Sequence, residues 1–340
     1  ADMLVSVPTT ASLEIARDGN LILRDKAKNR QLWSTNASVS SNSTVAIIRD
    51  SGSLELTDAS NPSTVYWQSI DYPTDTWLPG AKLGRNKING GSNRLVSWNN
   101  SVDPSPGLFS VELDPNGRTQ FLIQWNESVN YWNSGAWNGK YFPMMPEAVY
   151  NIYHFQVDNN ATESYLSYSM KVDSLVSRFI IDVTGQIKQQ VWADNLQQWF
   201  LIWAVPHTLC DVYMLCGAYG SCTDNALPYC NCVKGFSQKV QTDWDLQDYS
   251  GGCKRNTPLQ CQTNSTSARA PSDKFHIMED VRLPDNAQGA VATGSHECQV
   301  ACLNSCSCTA YTYNYTGCFV WHGDLINLQE QYSGIGGGTL

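Results

Sequence analysis

The chain has 340 residues, with 22 Lys+Arg against 31 Asp+Glu and 12 cysteines. At roughly 100–200 residues per domain that length implies two or three domains. The net charge of −9 argues against a nucleic-acid partner, because phosphate contacts need clustered Lys and Arg. No run approaches 18 apolar residues, so no transmembrane helix is expected within these residues.

The chain opens on Ala1-Asp2-Met3-Leu4, without the basic and apolar regions of a signal peptide. That is the reading of a removed signal or an internal piece. From there to about Phe200 the sequence reads as β structure. Short alternating runs such as Ser12-Leu13-Glu14-Ile15 and Leu21-Ile22-Leu23 are bounded by Asp-Gly, Asn-Gly and Pro-Gly turn signals. Regularly punctuated short strands favour a sandwich, barrel or prism.

An internal repeat lies near the start. Ile15-Ala16-Arg17-Asp18-Gly19-Asn20-Leu21-Ile22-Leu23-Arg24-Asp25 precedes Leu32-Trp33-Ser34. Ile47-Ile48-Arg49-Asp50-Ser51-Gly52-Ser53-Leu54-Glu55-Leu56-Thr57-Asp58 precedes Tyr66-Trp67-Gln68-Ser69. Each unit is a strand, a turn, a strand and a Trp, as in repeated supersecondary units. The two tryptophans are expected to fill a shared core.

All 12 cysteines fall between Cys210 and Cys318. The region before them needs an apolar core, and the region after Cys210 needs cross-links. No CxxC pair is present, so the spacing does not suit a zinc ribbon. The even count reads as a disulfide framework in an oxidising compartment. N-x-S/T sequons at Asn36, Asn42, Asn99, Asn126, Asn160, Asn264 and Asn314 agree with an extracellular protein.

Several blocks carry a family resemblance. Besides the repeat there are Trp67-Gln68-Ser69-Ile70-Asp71-Tyr72-Pro73-Thr74-Asp75-Thr76-Trp77-Leu78-Pro79-Gly80, Leu95-Val96-Ser97-Trp98 with Asp103-Pro104-Ser105-Pro106-Gly107, and Tyr131-Trp132-Asn133-Ser134-Gly135-Ala136-Trp137-Asn138-Gly139. Next come Cys210-Asp211-Val212-Tyr213 with Cys216-Gly217-Ala218-Tyr219-Gly220-Ser221-Cys222, Cys230-Asn231-Cys232, and Gly251-Gly252-Cys253. Last is Glu297-Cys298-Gln299-Val300-Ala301-Cys302-Leu303-Asn304-Ser305-Cys306-Ser307-Cys308. In this order the blocks resemble the ectodomain of plant S-domain receptor-like serine/threonine kinases.

The resemblance implies a mainly β chain of four modules. These are a partial bulb-type lectin β-prism at 1–76, a second prism-like S-locus glycoprotein domain at 77–205, an EGF-like module at 206–254 and a PAN/apple α+β module at 255–340. It also implies that a third block of lectin strands precedes Ala1. A last PAN strand, a membrane-spanning segment and a kinase would follow Leu340, so any membrane link lies outside these residues.

By resemblance the expected disulfides are Cys210–Cys222, Cys216–Cys230, Cys232–Cys253, Cys298–Cys318, Cys302–Cys308 and Cys261–Cys306. Six cysteines alone allow 15 pairings. Cys298 and Cys302, four apart, share one helix face. Val205-Pro206-His207-Thr208-Leu209 stands where a calcium-binding EGF module would carry ligands, so no metal or other cofactor is expected.

The lectins' sugar motif is Q-x-D-x-N-x-V-x-Y. Its positions hold Ala16, Asp18, Asn20, Ile22 and Arg24 in the first unit, and Arg49, Ser51, Ser53, Glu55 and Thr57 in the second. Asp18 and Asn20 are therefore weak carbohydrate candidates, with a plain turn as the competing reading. The five histidines lie in unrelated contexts, and neither HExxH nor GxSxG occurs, so no catalytic residue is expected.

The function implied is extracellular recognition of the pollen-recognition or immune-sensing type. The ligand would be a secreted peptide, a microbial molecule or a neighbouring receptor, with homo- or heterodimerisation and N-glycans. The family's variable ligand surface corresponds to Tyr141 to Val172. A mannose-type lectin and a kinase-less secreted decoy are the alternatives.

Overall fold

The computed structural model describes residues 10–41, 43–147, 149–172, 174–262, 273–331 and 337–340. The chain divides into two compact units, one ending at Val205 and one starting at Pro206.

The first unit is built from antiparallel hairpins. Strands β1 (Ala11–Ile15), β2 (Leu21–Asp25) and β3 (Arg30–Ser34) form one three-stranded sheet. Strands β4 (Thr44–Ile48), β5 (Leu54–Asp58) and β6 (Val65–Gln68) form a second. These are the two sequence repeats. In each, a glycine takes the left-handed turn position, Gly19 at φ +83° and Gly52 at φ +85°. A backbone bracket closes each hairpin: Ala16 N–H to the Asn20 carbonyl at 2.8 Å, and Arg49 N–H to the Ser53 carbonyl at 2.9 Å.

Trp33 and Trp67 meet edge to face at 5.6 Å, and Trp67 stacks on Tyr72 at 5.7 Å. The expected shared core is only half closed. Trp33 stays 40% exposed, and Leu13, Ile15 and Ile48 on the same apolar faces are also open to water. Two sheets do not enclose a volume that three would.

The stretch 76–205 does close. Strands β7 (Thr76–Trp77), β8 (Leu83–Asn86), β9 (Ser92–Asn93), β10 (Leu95–Trp98), β11 (Pro106–Leu113), β12 (Phe121–Trp125) and β13 (Val129–Asn133) come first. A single helical turn, α1 (Val149–Ile152), precedes β14 (Tyr153–Asn159), β15 (Glu163–Met170), β16 (Ser177–Ile181), β17 (Ile187–Ala193) and β18 (Gln198–Val205). They make three four-stranded sheets, ordered β10-β11-β12-β13, β14-β15-β8-β9 and β18-β17-β16-β7.

Trp77 is the hub where the sheets meet. Its ring lies 5.3 Å from Phe121, 4.7 Å from Tyr168 and 5.5 Å from Phe179, one partner from each sheet. Its indole N–H donates to the Ala81 carbonyl, and the Tyr168 hydroxyl donates to the Trp77 carbonyl, both at 2.8 Å. The Trp77 indole N–H, the Trp77 carbonyl and the Tyr168 hydroxyl are thus all paired, as burial requires.

The second unit holds short strands and small helices. A four-stranded sheet runs β20 (Cys230–Cys232), β19 (Gly220–Cys222), β27 (Leu328–Glu330), β23 (Val281–Arg282). The 220s and 320s thereby share one sheet, with β19 and β27 parallel. Strands β21 (Phe236–Gln238) and β22 (Cys253–Arg255) pair beside it. Gly217 and Gly252 approach so closely that a Cβ on Gly217 would sit 2.6 Å from the Gly252 backbone. After the short helix α2 (Gln241–Asp245), helix α3 (Ser295–Leu303) packs on β24 (Gln288–Ala290), β26 (Gly317–His322) and β25 (Cys308–Asn314).

Disulfides join Cys210 to Cys222, Cys216 to Cys230, Cys232 to Cys253, Cys261 to Cys306, Cys298 to Cys318 and Cys302 to Cys308. The core itself is partly sulfur: Cys298, Cys302, Cys308 and Cys318 cluster with Val320. A region this short buries little apolar surface, and the cross-links compensate by restricting the unfolded chain.

Candidate functional site

Asp18 and Asn20 sit at the β1–β2 turn. Asp18 is exposed, and its carboxylate accepts the Asn20 backbone N–H at 3.1 Å. Asn20 is only 7% exposed. Its Oδ1 accepts the Thr35 hydroxyl at 2.8 Å and the Ala37 N–H at 2.7 Å, and its Nδ2 donates to the Ala37 carbonyl at 3.3 Å. The Asn20 amide therefore fastens the segment after β3 to the turn, and both bonds to Oδ1 would compete with a sugar hydroxyl.

A larger concavity lies within Tyr141 to Val172 and the loop before it. Its volume is about 750 Å³. The chain enters through Asn138, whose Oδ1 accepts the N–H groups of Lys140 and Tyr141, both at 2.9 Å. Gly139 at φ +94° completes that turn. Tyr141 is thrown outward, 44% exposed, and Phe142 is driven fully into the core.

The far wall is α1 and β14. The Tyr150 hydroxyl accepts the Phe142 N–H at 2.6 Å and donates to the Phe142 carbonyl at 3.2 Å, fixing wall to loop. Tyr150 contacts Tyr141 edge to face at 6.1 Å and Phe155 at 5.7 Å. Burial raises the Tyr150 phenol above its ordinary pKa, and the Phe142 N–H pulls the other way. The phenol is thus neutral at physiological pH and can both donate and accept.

Charge gathers at the rim. Lys171 Nζ donates to the Tyr150 carbonyl at 2.6 Å, and Lys140, Glu147 and His154 also line the cleft. Trp137, Pro143 and Met145 add apolar surface. Rigid aromatic walls with a few charged rim groups thus line the cleft. Among the described residues, no group of three or more His, Cys, Asp or Glu is placed to hold a metal ion.

The sequon residues Asn36, Asn99, Asn126, Asn160 and Asn314 are all exposed. Asn42 and Asn264 lie outside the described residues.

Comparison with known proteins places this geometry. A D-mannose binding lectin family model matches residues 4–99, an S-locus glycoprotein domain model 132–240 and a PAN-like domain model 261–328. The chain is 34% identical to the S-locus-specific glycoprotein BS29-2 of Brassica oleracea var. alboglabra, over 92% of this chain and 73% of the relative. The chain belongs to the S-domain family.

This S-domain chain is also 42% identical, over 97% of its length, to a G-type lectin S-receptor-like serine/threonine-protein kinase of Arabidopsis thaliana. It is 35% identical over 94% of its length to another kinase of that description from the same plant. It spans about 40% of the length of those kinase relatives. The chain is a lectin-type extracellular recognition region, and its six disulfides fit that setting.

Sequence reasoning marked the stretch around the cleft but not its individual residues. Lys140, Tyr150 and Lys171 carry no local motif. Only the Asn-Gly turn at 138–139 signalled that the chain would reverse there.

Proposed function

We propose that this S-domain chain is the ligand-sensing part of a plant cell-surface receptor and that it binds a secreted peptide in the Tyr141–Lys171 cleft. The observation that carries this reading is the cleft itself, a concavity of about 750 Å³ with a fixed aromatic wall and a cationic rim. Tyr and Trp give large contact area at low entropic cost, and the rim lysines favour acidic or C-terminal carboxylate groups. The names of the relatives support a receptor. Kinase activity and membrane anchoring would then belong to parts of the receptor beyond this chain.

In the same reading the modules run 1–76, 77–205, 206–254 and 255–340, and N-glycans occupy the exposed sequons. Glycosidase digestion followed by mass spectrometry of the secreted protein checks those sugars site by site.

The binding test is a titration of the glycosylated chain against a panel of secreted plant peptides and receptor ectodomains. A peptide should bind saturably, and Tyr141→Ala and Lys171→Ala should each weaken it by about tenfold or more, as for interface anchors. Silence across the peptide panel, or binding indifferent to both substitutions, overturns the proposal.

A further inference from the structure

We propose that the second unit carries a small-molecule site of its own, for an aromatic monocarboxylic acid. The site is a cavity of about 140 Å³ whose lining runs from Val233 to Leu340, wholly within that unit. Phe236, Phe275, Met278, Tyr311 and Leu325 supply apolar surface. Lys234, Arg255, Lys274 and His276 supply polar groups. The cavity shares no residue with the Tyr141–Lys171 cleft.

The walls follow from the local structure. Strands β21 and β22 pair Phe236 directly with Arg255. The Arg255 guanidinium lies 4.6 Å over the Phe236 ring, and Tyr219 stacks on the same ring at 4.5 Å. The cation is thus seated on an aromatic face, a favourable arrangement that fixes its long side chain. Phe275 meets Tyr311 edge to face at 4.8 Å. Cys261, Cys302, Cys306 and Cys308 also line the cavity, and their two disulfides, Cys261–Cys306 and Cys302–Cys308, tie its walls. Walls held by cross-links and packed rings resist collapse into the space between them.

The charge around the cavity selects an anion. The chain as a whole is acidic, with 31 Asp+Glu against 22 Lys+Arg. Here the balance reverses, with Lys234, Arg255 and Lys274 against Asp273 alone. None of the three cations forms an ion pair among the described residues. Asp273 is engaged with its own chain, its Oδ2 accepting the Gln260 N–H at 3.0 Å. Unpaired cations grouped at one opening attract an anion and repel a cation.

The apolar surface selects the rest of the ligand. An apolar cavity of this volume takes one benzene-sized ring. The Phe236, Phe275 and Tyr311 rings favour an aromatic guest, through offset or edge contacts that a saturated ring lacks. The planar Arg255 fork matches a carboxylate with two parallel N–H bonds. A monocarboxylate of about ten heavy atoms should bind at roughly millimolar Kd.

The test titrates the whole disulfide-bonded chain with phenylacetate by ligand-observed NMR, beside its neutral isostere phenylacetamide and the cation phenethylammonium. Phenylacetate should bind saturably, phenylacetamide at least about tenfold more weakly, and phenethylammonium not at all. Cyclohexylacetate, of the same shape without the π face, should bind several-fold more weakly than phenylacetate. Arg255 and Lys274 are exposed. Arg255→Gln combined with Lys274→Gln should lower phenylacetate affinity at least about tenfold. Lys274→Gln alone removes a charge without touching the Phe236 stack, and should cost several-fold. Lys239→Gln removes an equally exposed charge outside the cavity and should change nothing. Absence of saturable phenylacetate binding overturns the proposal. So does equal affinity for phenylacetamide or cyclohexylacetate, binding that survives the double substitution, or a loss with Lys239→Gln as large as with Lys274→Gln.

Discussion

The two β regions of the first unit are made of the same hairpins and differ in how many sheets they bring together. At 76–205 three sheets converge, and Trp77 is 3% exposed among rings from all three. At 11–68 two sheets meet, and Trp33 is 40% exposed with Leu13, Ile15 and Ile48 more exposed still. Gly19, Gly52 and Gly185 take the same left-handed turn position, and the brackets from Ala16 to Asn20, Arg49 to Ser53 and Asp182 to Gln186 span the same four residues in the two regions. Hairpin formation is thus a local property. Closure depends on a third sheet, and most of the stability of a β assembly comes from the apolar faces that closure removes from water.

The largest expected effect comes from reduction. Each native disulfide in a small secreted module is worth about 2–5 kcal/mol, so reductant should unfold the second unit. Neither β region holds a cysteine, so the contrast between them should survive. If reduction erased the stability difference between 11–68 and 76–205, measured by hydrogen exchange, the difference would not come from sheet closure.

Next in size is the pair of tryptophans. Trp77→Ala should cost about 3–5 kcal/mol, the range for large aromatic truncations in closed cores. Trp33→Ala should cost about 1–2 kcal/mol, because two-fifths of that side chain is already in water. Urea unfolding of the two variants measures this, and equal losses would break the comparison. In the parent chain, the slowest amides of β1 to β6 should exchange at least about tenfold faster than those of β12, β15 and β16. Equal protection would show that the two-sheet region is closed by something other than its own sheets.

Much of this was legible in the sequence, for identifiable reasons. The repeat, the Asp-Gly and Ser-Gly turns and the switch to cross-linking at Cys210 are local signals, and local signals survive without tertiary knowledge. The i, i+4 spacing of Cys298 and Cys302 places both on one helix face, where they lie buried in α3. Sheet order was not legible. Thr76 pairs with Ile180 and Leu83 with Leu166, partners that alternation cannot select at such separation. The cleft was legible only as a region, because its wall depends on Tyr150 reaching back to Phe142.

The smallest expected effect is a pH dependence of the two-sheet region. Asp58 ends β5, and its Oδ1 accepts the Ser60 hydroxyl at 2.6 Å, the Ser60 N–H at 2.7 Å and the Asn61 N–H at 3.3 Å. The Tyr66 hydroxyl donates to Oδ2 at 3.2 Å. The Ser60 hydroxyl, followed by that of Ser41 and by backbone N–H groups, holds this carboxyl well below the ordinary aspartate range. In the unfolded chain the same group titrates near about 3.9. Its contribution is therefore complete above that value and is lost as pH falls towards the lower folded pKa. Acid should weaken the 11–68 region on this account, through a solvent-exposed turn whose effect is modest. Asp58→Asn should remove part of that slope between about pH 5 and pH 2. It should leave the Trp77-centred prism unchanged, because the Asp58 turn shares no bond with it. An unaltered acid slope in Asp58→Asn, read by site-resolved exchange, would assign the sensitivity of the open region to its exposed apolar faces alone.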